Sequence, residues 1–262
     1  MTRSLQRSAV ALALTFALGC AGAMRGVAPG PAVPSAPPLS AGLPNSSPPF
    51  SSEQDGELVG LEPELARELA RELGRDIELH SYDFEDLIPA LRGGDVDVVM
   101  AGLTTTPLRA LRIRFTEPYL TTGQRLLVRS DDVTSLATPE AVRGAGARVG
   151  VLRASTGEQY ARAKLAPAPV WAYAELTDAL ADLADGDLDV VVCDAPIAGA
   201  FAASRASGDL VAVGGLLTHE DLAWGVRRED EALRDALDAA LARLRASGRL
   251  DELVHRWAPP PR

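Results

Sequence analysis

The chain has 262 residues, 47% of them hydrophobic and 24% charged, a balance that suits one large soluble domain or two small lobes. Its formal net charge of −10 repels phosphate, which argues against a nucleic-acid partner. Aromatic residues make up only 5% of the chain, so each one placed near a pocket carries weight.

The N-terminal segment does not read as part of the fold. Arg3 and Arg7 precede a short apolar run from Ala9 to Leu18, the charged and apolar regions of a signal peptide, too short to span a bilayer as a mature helix. The run closes on Ala17-Leu18-Gly19-Cys20, which resembles a bacterial lipobox with Ala17 where leucine is usual. That resemblance implies a signal peptide over 1–20, a diacylated Cys20, and an exported protein, periplasmic or at the cell surface, held to a membrane by lipid. An ordinary cleaved signal with a chance cysteine is the alternative. With Cys20 acylated, the other cysteine, Cys193, has no intrachain disulfide partner. Residues 21–38 read as a tether, because the 26–38 stretch GVAPGPAVPSAPP has no periodicity and too little to bury. Folding is expected to begin near Leu39.

From there helix and strand alternate. Leu61, Leu65, Leu69 and Leu73 recur every four positions, with Pro63 near the start and Gly74 at the stop, an amphipathic helix with its terminators. Ile77 to Leu79 reads as a short strand and Phe84 to Arg92 as a helix. Val96 to Ala101 is a continuous apolar run, as in a strand buried on both faces of a parallel sheet. Thr106-Pro107 caps another short helix. Such alternation predicts βαβ units and an α/β fold.

The chain also contains an internal repeat. Asp86 to Gly102 reads DLIPALRGGDVDVVMAG, and Asp178 to Asp194 reads DALADLADGDLDVVVCD, in constant register. Each copy is a helix, a tight Gly-Asp turn and a buried strand. Two copies predict two lobes of like architecture, the alternative being a common turn that occurs twice. Ligands of open α/β sheets bind beyond the carboxyl ends of strands. Those ends are Ala101-Gly102 in one copy and Cys193-Asp194 in the other.

Over residues 39–258 the chain resembles the family 3 periplasmic solute-binding proteins, which serve polar amino-acid importers. The markers are Pro48-Pro49-Phe50, Gly60-Leu61-Glu62, Asp83-Phe84 with Leu87-Ile88-Pro89-Ala90-Leu91, then Ala101 through Pro107 with Arg109. Phe115-Thr116-Glu117-Pro118-Tyr119, Val149-Gly150-Val151, Ser155-Thr156-Gly157 and the closing stretch Gly248 to Trp257 follow in order. The resemblance implies a two-lobed periplasmic binding protein fold with a central mixed sheet in each lobe and two crossover strands as hinge. It places lobe one at 39–127 and 221–262, lobe two at 131–214, and the crossings near 127–131 and 214–221. Ligand binding then closes the hinge.

The resemblance also assigns the site. Arg109 is the clamp for a ligand carboxylate, which a planar guanidinium can hold by two parallel bonds, the alternative being a solvated surface arginine beside Arg112 and Arg114; free N–H donors at the start of its short helix are expected to help. Ala101, Gly102 and Thr104 offer backbone and hydroxyl groups. Ser155 and Thr156 form a second turn on the opposite lobe, with plain helix capping as the alternative role. Asp194 accepts the ligand's α-ammonium, the alternative being a helix N-cap before Ala195-Pro196. Phe84 packs on the ligand side chain. Ser47, Leu152 and Cys193 line the pocket; Ser47 stands where the family usually carries a stacking aromatic, and Pro44 where binders of cationic ligands often carry aspartate.

The function implied is an extracytoplasmic binding protein, a monomer, that takes an amino acid or related small carboxylate and delivers it to an ABC permease. A stand-alone sensory domain of the same fold is the second reading. An enzyme of the cyclohexadienyl dehydratase type is the third, disfavoured because the acid expected three residues past Asp194 is Ile197. No catalytic residue, metal ligand or cofactor is expected: His80, His219 and His255 lack metal-ligand spacing.

Overall fold

A computed structural model of the chain describes residues 37–204 and 209–258. The signal segment, Cys20 and most of the tether lie outside the described residues. No described helix is long and apolar enough to cross a membrane.

Two five-stranded mixed sheets organise the molecule. In the first, Leu39–Pro44 lies between Ile77–Tyr82 and Val98–Val99, parallel to both; Gly225–Val226 then pairs antiparallel with Val98–Val99, and Arg114–Phe115 closes the edge. In the second, Val149–Leu152 lies parallel between Val170–Tyr173 and Val190–Asp194, Gln124–Arg129 runs antiparallel beside Val190–Asp194, and Leu210–Val213 closes the edge. The two sheets share one strand order and one set of directions. The repeated segment occupies the third place in each: Val98–Val99 in one sheet and Val190–Asp194 in the other.

The physical basis of the repeat is a shared turn. Gly94 and Gly186 cap their helices in the left-handed region, at φ 86° and 87°, which favours glycine. The following aspartates, Asp95 and Asp187, return their N–H groups to the Ala90 and Asp182 carbonyls at 3.0 and 2.8 Å. The second aspartate of each copy fastens the neighbouring strand. Asp97 Oδ2 accepts from the Ser40 N–H at 3.2 Å, and Asp189 Oδ2 accepts from the Arg148 N–H at 2.7 Å.

The first helix, Leu61–Leu73, buries Leu61, Leu65 and Leu69 and stops at Gly74 with φ 63°, as its periodicity predicts. The apolar run Val96–Ala101 is buried except for partly exposed Asp97, but only Val98–Val99 pair as a strand in the ladder. Phe84–Arg92 divides into a 3₁₀ turn over Phe84–Asp86 and a helix over Leu87–Gly93.

Between the sheets runs a two-stranded ribbon, Leu120–Thr122 against Glu220–Leu222. The first crossing therefore lies ahead of the expected 127–131. Residues 124–129 belong to the second sheet, where Leu126, Leu127 and Val128 are buried and cannot serve as a free connector. Gly123, which follows the ribbon, has no room for a side chain: a Cβ there would stand 2.0 Å from the Thr218 carbonyl oxygen.

Beneath the ribbon Glu62 is fully buried, accepting from the Gly102 N–H at 2.7 Å, the Tyr119 hydroxyl and Trp224 Nε1. Tyr119 and Trp224 stack with ring centroids 5.2 Å apart. Burial pushes the Glu62 carboxyl up, against the pull of these three donors. The network fixes the Gly102 backbone at the mouth of the cleft.

Candidate ligand-binding cleft

The carboxyl ends of the two repeat strands face one cavity. From lobe one it is lined by Ser47, Phe84, Ala101, Gly102, Thr104 and Arg109, and from lobe two by Leu152, Ser155, Thr156 and Asp194. The structure thus brings together every sequence-predicted site residue among those described except Cys193. That thiol is buried behind the lining, and desolvation pushes it well above its usual range. Phe50 and Ile197 complete the wall.

Arg109 sits in the short helix Pro107–Ala110, capped by Thr106, whose Oγ1 accepts from the Arg109 N–H at 3.2 Å. The helix start contributes less to an anion than its position suggests, because Pro107 has no N–H and the Arg109 N–H is already bonded. The guanidinium is buried, lies 5.5 Å from the centroid of the Phe84 ring, and donates to the Thr104 carbonyl at 2.9 Å and to the Ala154 carbonyl at 3.1 Å. Burial lowers its pKa to about 10, while Asp194 and Glu220 hold it up, so it stays charged at neutral pH. Ala154 adopts φ 59°, an uncommon conformation for alanine that directs its carbonyl into a contact with Arg109.

Ser155 caps the helix Thr156–Lys164. Its Oγ accepts from the Glu158 N–H at 3.1 Å and donates to the Leu152 carbonyl at 2.6 Å, so its hydroxyl proton is committed to the turn. The Thr156 and Gly157 N–H groups of that first turn have no partner among the described residues, which leaves two donors at the positive end of a helix.

Asp194 ends the second repeat strand and makes no capping bond to the helix Ala195–Ala203 that follows. Its carboxylate accepts from Gln124 Nε2 at 3.0 Å. Desolvation first, then Glu220, push its pKa up to about 7; Arg109 and Gln124 pull the other way.

Two polar residues of this site went unread in the sequence. Gln124 stands opposite Asp194 in the ladder. Glu220 comes from the ribbon and is buried; its carboxylate accepts from Thr104 Oγ1 at 2.6 Å, Thr218 Oγ1 at 2.7 Å and Thr156 Oγ1 at 2.9 Å, and lies 3.3 Å from Gln124 Nε2, whose two protons have nearer acceptors in Asp194 and Thr156. A carboxylate in a strand between two lobes was the available signal, but of its partners only Thr218 is near in sequence.

The lobes are in contact. Arg109 reaches Ala154, Ser46 Oγ lies 3.0 Å from Thr177 Oγ1, and Arg153 pairs with Glu85 at 2.8 Å. The cavity between them is about 10 Å³, close to the minimum for one water and far below the roughly 300–1,000 Å³ of ordinary ligand pockets. A hollow of about 370 Å³ adjoins it, with Phe84 and Arg109 common to both walls.

Twin mixed sheets, a two-stranded hinge and convergent charges between the lobes define a two-lobed ligand-binding protein. The chain belongs to the bacterial extracellular solute-binding proteins, family 3, whose profile matches residues 39–260. It is 33% identical to an L-arginine-binding protein of Pseudomonas aeruginosa over 67% of this chain and 70% of that protein. An ancestral arginine-binding protein bound to glutamine is 31% identical, with a TM-score of 0.79, over 85% of this chain and 98% of that one. An ancestral amino acid-binding protein described as a precursor of cyclohexadienyl dehydratase is also 31% identical, with a TM-score of 0.79, over 84% and 95% of the two chains.

Proposed function

We propose that this chain is the extracytoplasmic binding subunit of an amino-acid ABC importer, tethered to a membrane through lipid on Cys20. Its ligand is an α-amino acid. Arg109 and the Thr156 and Gly157 amides receive the carboxylate, Asp194 receives the α-ammonium, and Phe84 packs on the side chain. The observation that carries the reading is a buried guanidinium on one lobe set against an uncapped, desolvated carboxylate on the other. Each group favours an opposite charge, and a zwitterion supplies both.

The small cavity gives the mechanism its order. Ligand entry has to part the Arg109–Ala154 contact and the lobe–lobe bonds. Closure then replaces them with contacts to the ligand, a population shift driven by bonds made only in the closed form. Because Asp194 and Glu220 face one guanidinium, neutral and cationic amino acids are favoured over glutamate and aspartate. Binding rather than catalysis is supported by Ile197, an apolar side chain with no proton to give, at the place where a dehydratase would need its acid.

Thermal melting of the soluble protein against the twenty amino acids and small dicarboxylates tests this. A ligand that binds only the folded state raises the melting temperature by mass action. The expected result is a shift with one or a few amino acids that vanishes in Arg109→Ala. A cooperatively folding sample that responds to none of the twenty overturns the reading.

A further inference from the structure

We infer that Glu220 is a positioning residue that sets the hydrogen-bond polarity of the cleft. By taking the hydroxyl protons of Thr104 and Thr156, it leaves both as acceptors that select an α-ammonium over an α-hydroxyl or α-keto group. This inference rests on the amino-acid reading of the site and deepens it.

A threonine hydroxyl has one proton and two lone pairs. The Thr104 proton has an acceptor at 2.6 Å and the Thr156 proton one at 2.9 Å, both of them Glu220 Oε2. The competing contact between the two hydroxyls is longer, at 3.4 Å. Thr156 also accepts from Gln124 Nε2 at 3.1 Å, and the same nitrogen lies 3.0 Å from Asp194 Oδ1. With their protons committed, the hydroxyls present lone pairs to whatever enters, beside the Asp194 carboxylate. The end of the cleft near Asp194 is therefore lined by acceptors. An ammonium, with three donors, satisfies such a lining. A hydroxyl offers one donor and a keto oxygen none, so each leaves buried acceptors facing it unpaired.

Glu220 has the leverage to do this from the hinge. It stands in the ribbon strand Glu220–Leu222, opposite Thr122. From there it reaches Thr104 of lobe one and Thr156 and Gln124 of lobe two. Thr218, two residues before it, donates to its other oxygen at 2.7 Å. Hinge position and donor orientation are thus tied to one carboxylate.

The test compares matched ligand pairs by isothermal titration calorimetry: L-arginine and L-glutamine, each against its 2-hydroxy acid, with the wild-type protein and Glu220→Gln. A glutamine amide keeps the shape but can donate, which returns at least one hydroxyl proton to the cleft. Wild type is expected to prefer the amino acid by about 100-fold or more, and Glu220→Gln to shrink that preference about tenfold or more, partly by gaining affinity for the hydroxy acid. An unchanged preference ratio overturns the inference, even when both affinities fall together, because a merely structural role moves both alike. Thr104→Val, with Glu220 in place, serves as the second variant if Glu220→Gln does not fold. It is expected to weaken the amino acid more than the hydroxy acid, and equal weakening of the two overturns the inference. If wild type binds neither member of either pair while other amino acids shift its melting temperature, the same comparison is made with those. If no amino acid binds, the amino-acid reading falls and this inference falls with it.

Discussion

The two copies of the helix–turn–strand repeat have the same scaffold and opposite chemistry at their tips. Both turn on a left-handed glycine, Gly94 or Gly186, and both use their second aspartate to hold the start of the adjacent strand. At the cleft end they diverge. The first copy finishes on Ala101-Gly102 and offers backbone; the second finishes on Cys193-Asp194 and offers a carboxylate. The turn ends, where the copies agree, carry the bonds that fasten the adjacent strands. The strand ends, where they differ, line the cavity, the arrangement expected when function resides in sites grafted onto a scaffold.

The largest expected effect lies at the cleft end of the second copy and at its counterpart across the gap. Asp194→Asn and Arg109→Ala are each expected to lower amino-acid affinity by about 100-fold or more, since each leaves a charged partner unpaired in a desolvated site. Calorimetric titration measures it.

The turn ends should behave differently. Asp189→Ala removes bonds to the Arg148 N–H, Nε and Nη2 and a contact to Arg129. It is expected to cost roughly 1–3 kcal/mol of unfolding free energy. Asp97→Ala, with fewer such bonds, is expected at the lower end of that range. Urea denaturation of both variants reads the difference, with ligand affinity changed little in either.

Gly102→Ala probes the tip of the first copy. Its φ is 59° and a Cβ would sit 3.0 Å from the Phe50 ring, so a loss of about 1–2 kcal/mol is expected from backbone strain alone. Chemical denaturation would show it, together with weaker ligand binding.

A pH prediction separates the tips again. Asp194 titrates near 7 in the folded protein against an ordinary value of 3.8. Folding therefore takes up a proton between those values. The associated stabilisation of the ligand-free protein is complete below about pH 4 and is lost as pH rises through 7. Asp194→Asn removes this slope, and ligand-free melting temperatures at pH 5 and pH 8 test it. The smallest effect is expected at Glu85→Ala, which removes the partly exposed lobe–lobe pair with Arg153, worth about 0–1 kcal/mol. Small-angle scattering of the ligand-free protein would report any shift toward an open form.

Much of this was readable in the sequence where a signal is local. Leu61–Leu73 follows from its leucine spacing and terminal glycine, and the GDxD turns follow from self-similarity. The cleft lining was read from motif resemblance, and the cavity brings Arg109, Thr104, Thr156 and Asp194 together. What stayed hidden depends on pairing between distant segments. Gln124 enters the site because it faces Asp194 across a ladder, and Glu220 because the ribbon crosses between lobes. The first crossing lies ahead of the expected 127–131 because Gln124–Arg129, apolar at its centre, carries no mark that says which sheet receives it.

The most direct test of the central claim is the proton balance of binding. A ligand ammonium beside Asp194 forces that carboxyl to ionise. Titration of the best-binding amino acid at pH 6.5, in buffers of different ionisation enthalpy, is expected to show release of most of one proton per ligand, absent in any residual binding by Asp194→Asn. Binding by the wild-type protein with no proton released would contradict the pairing of Asp194 with the ammonium, and with it the account of how the two lobes read their ligand.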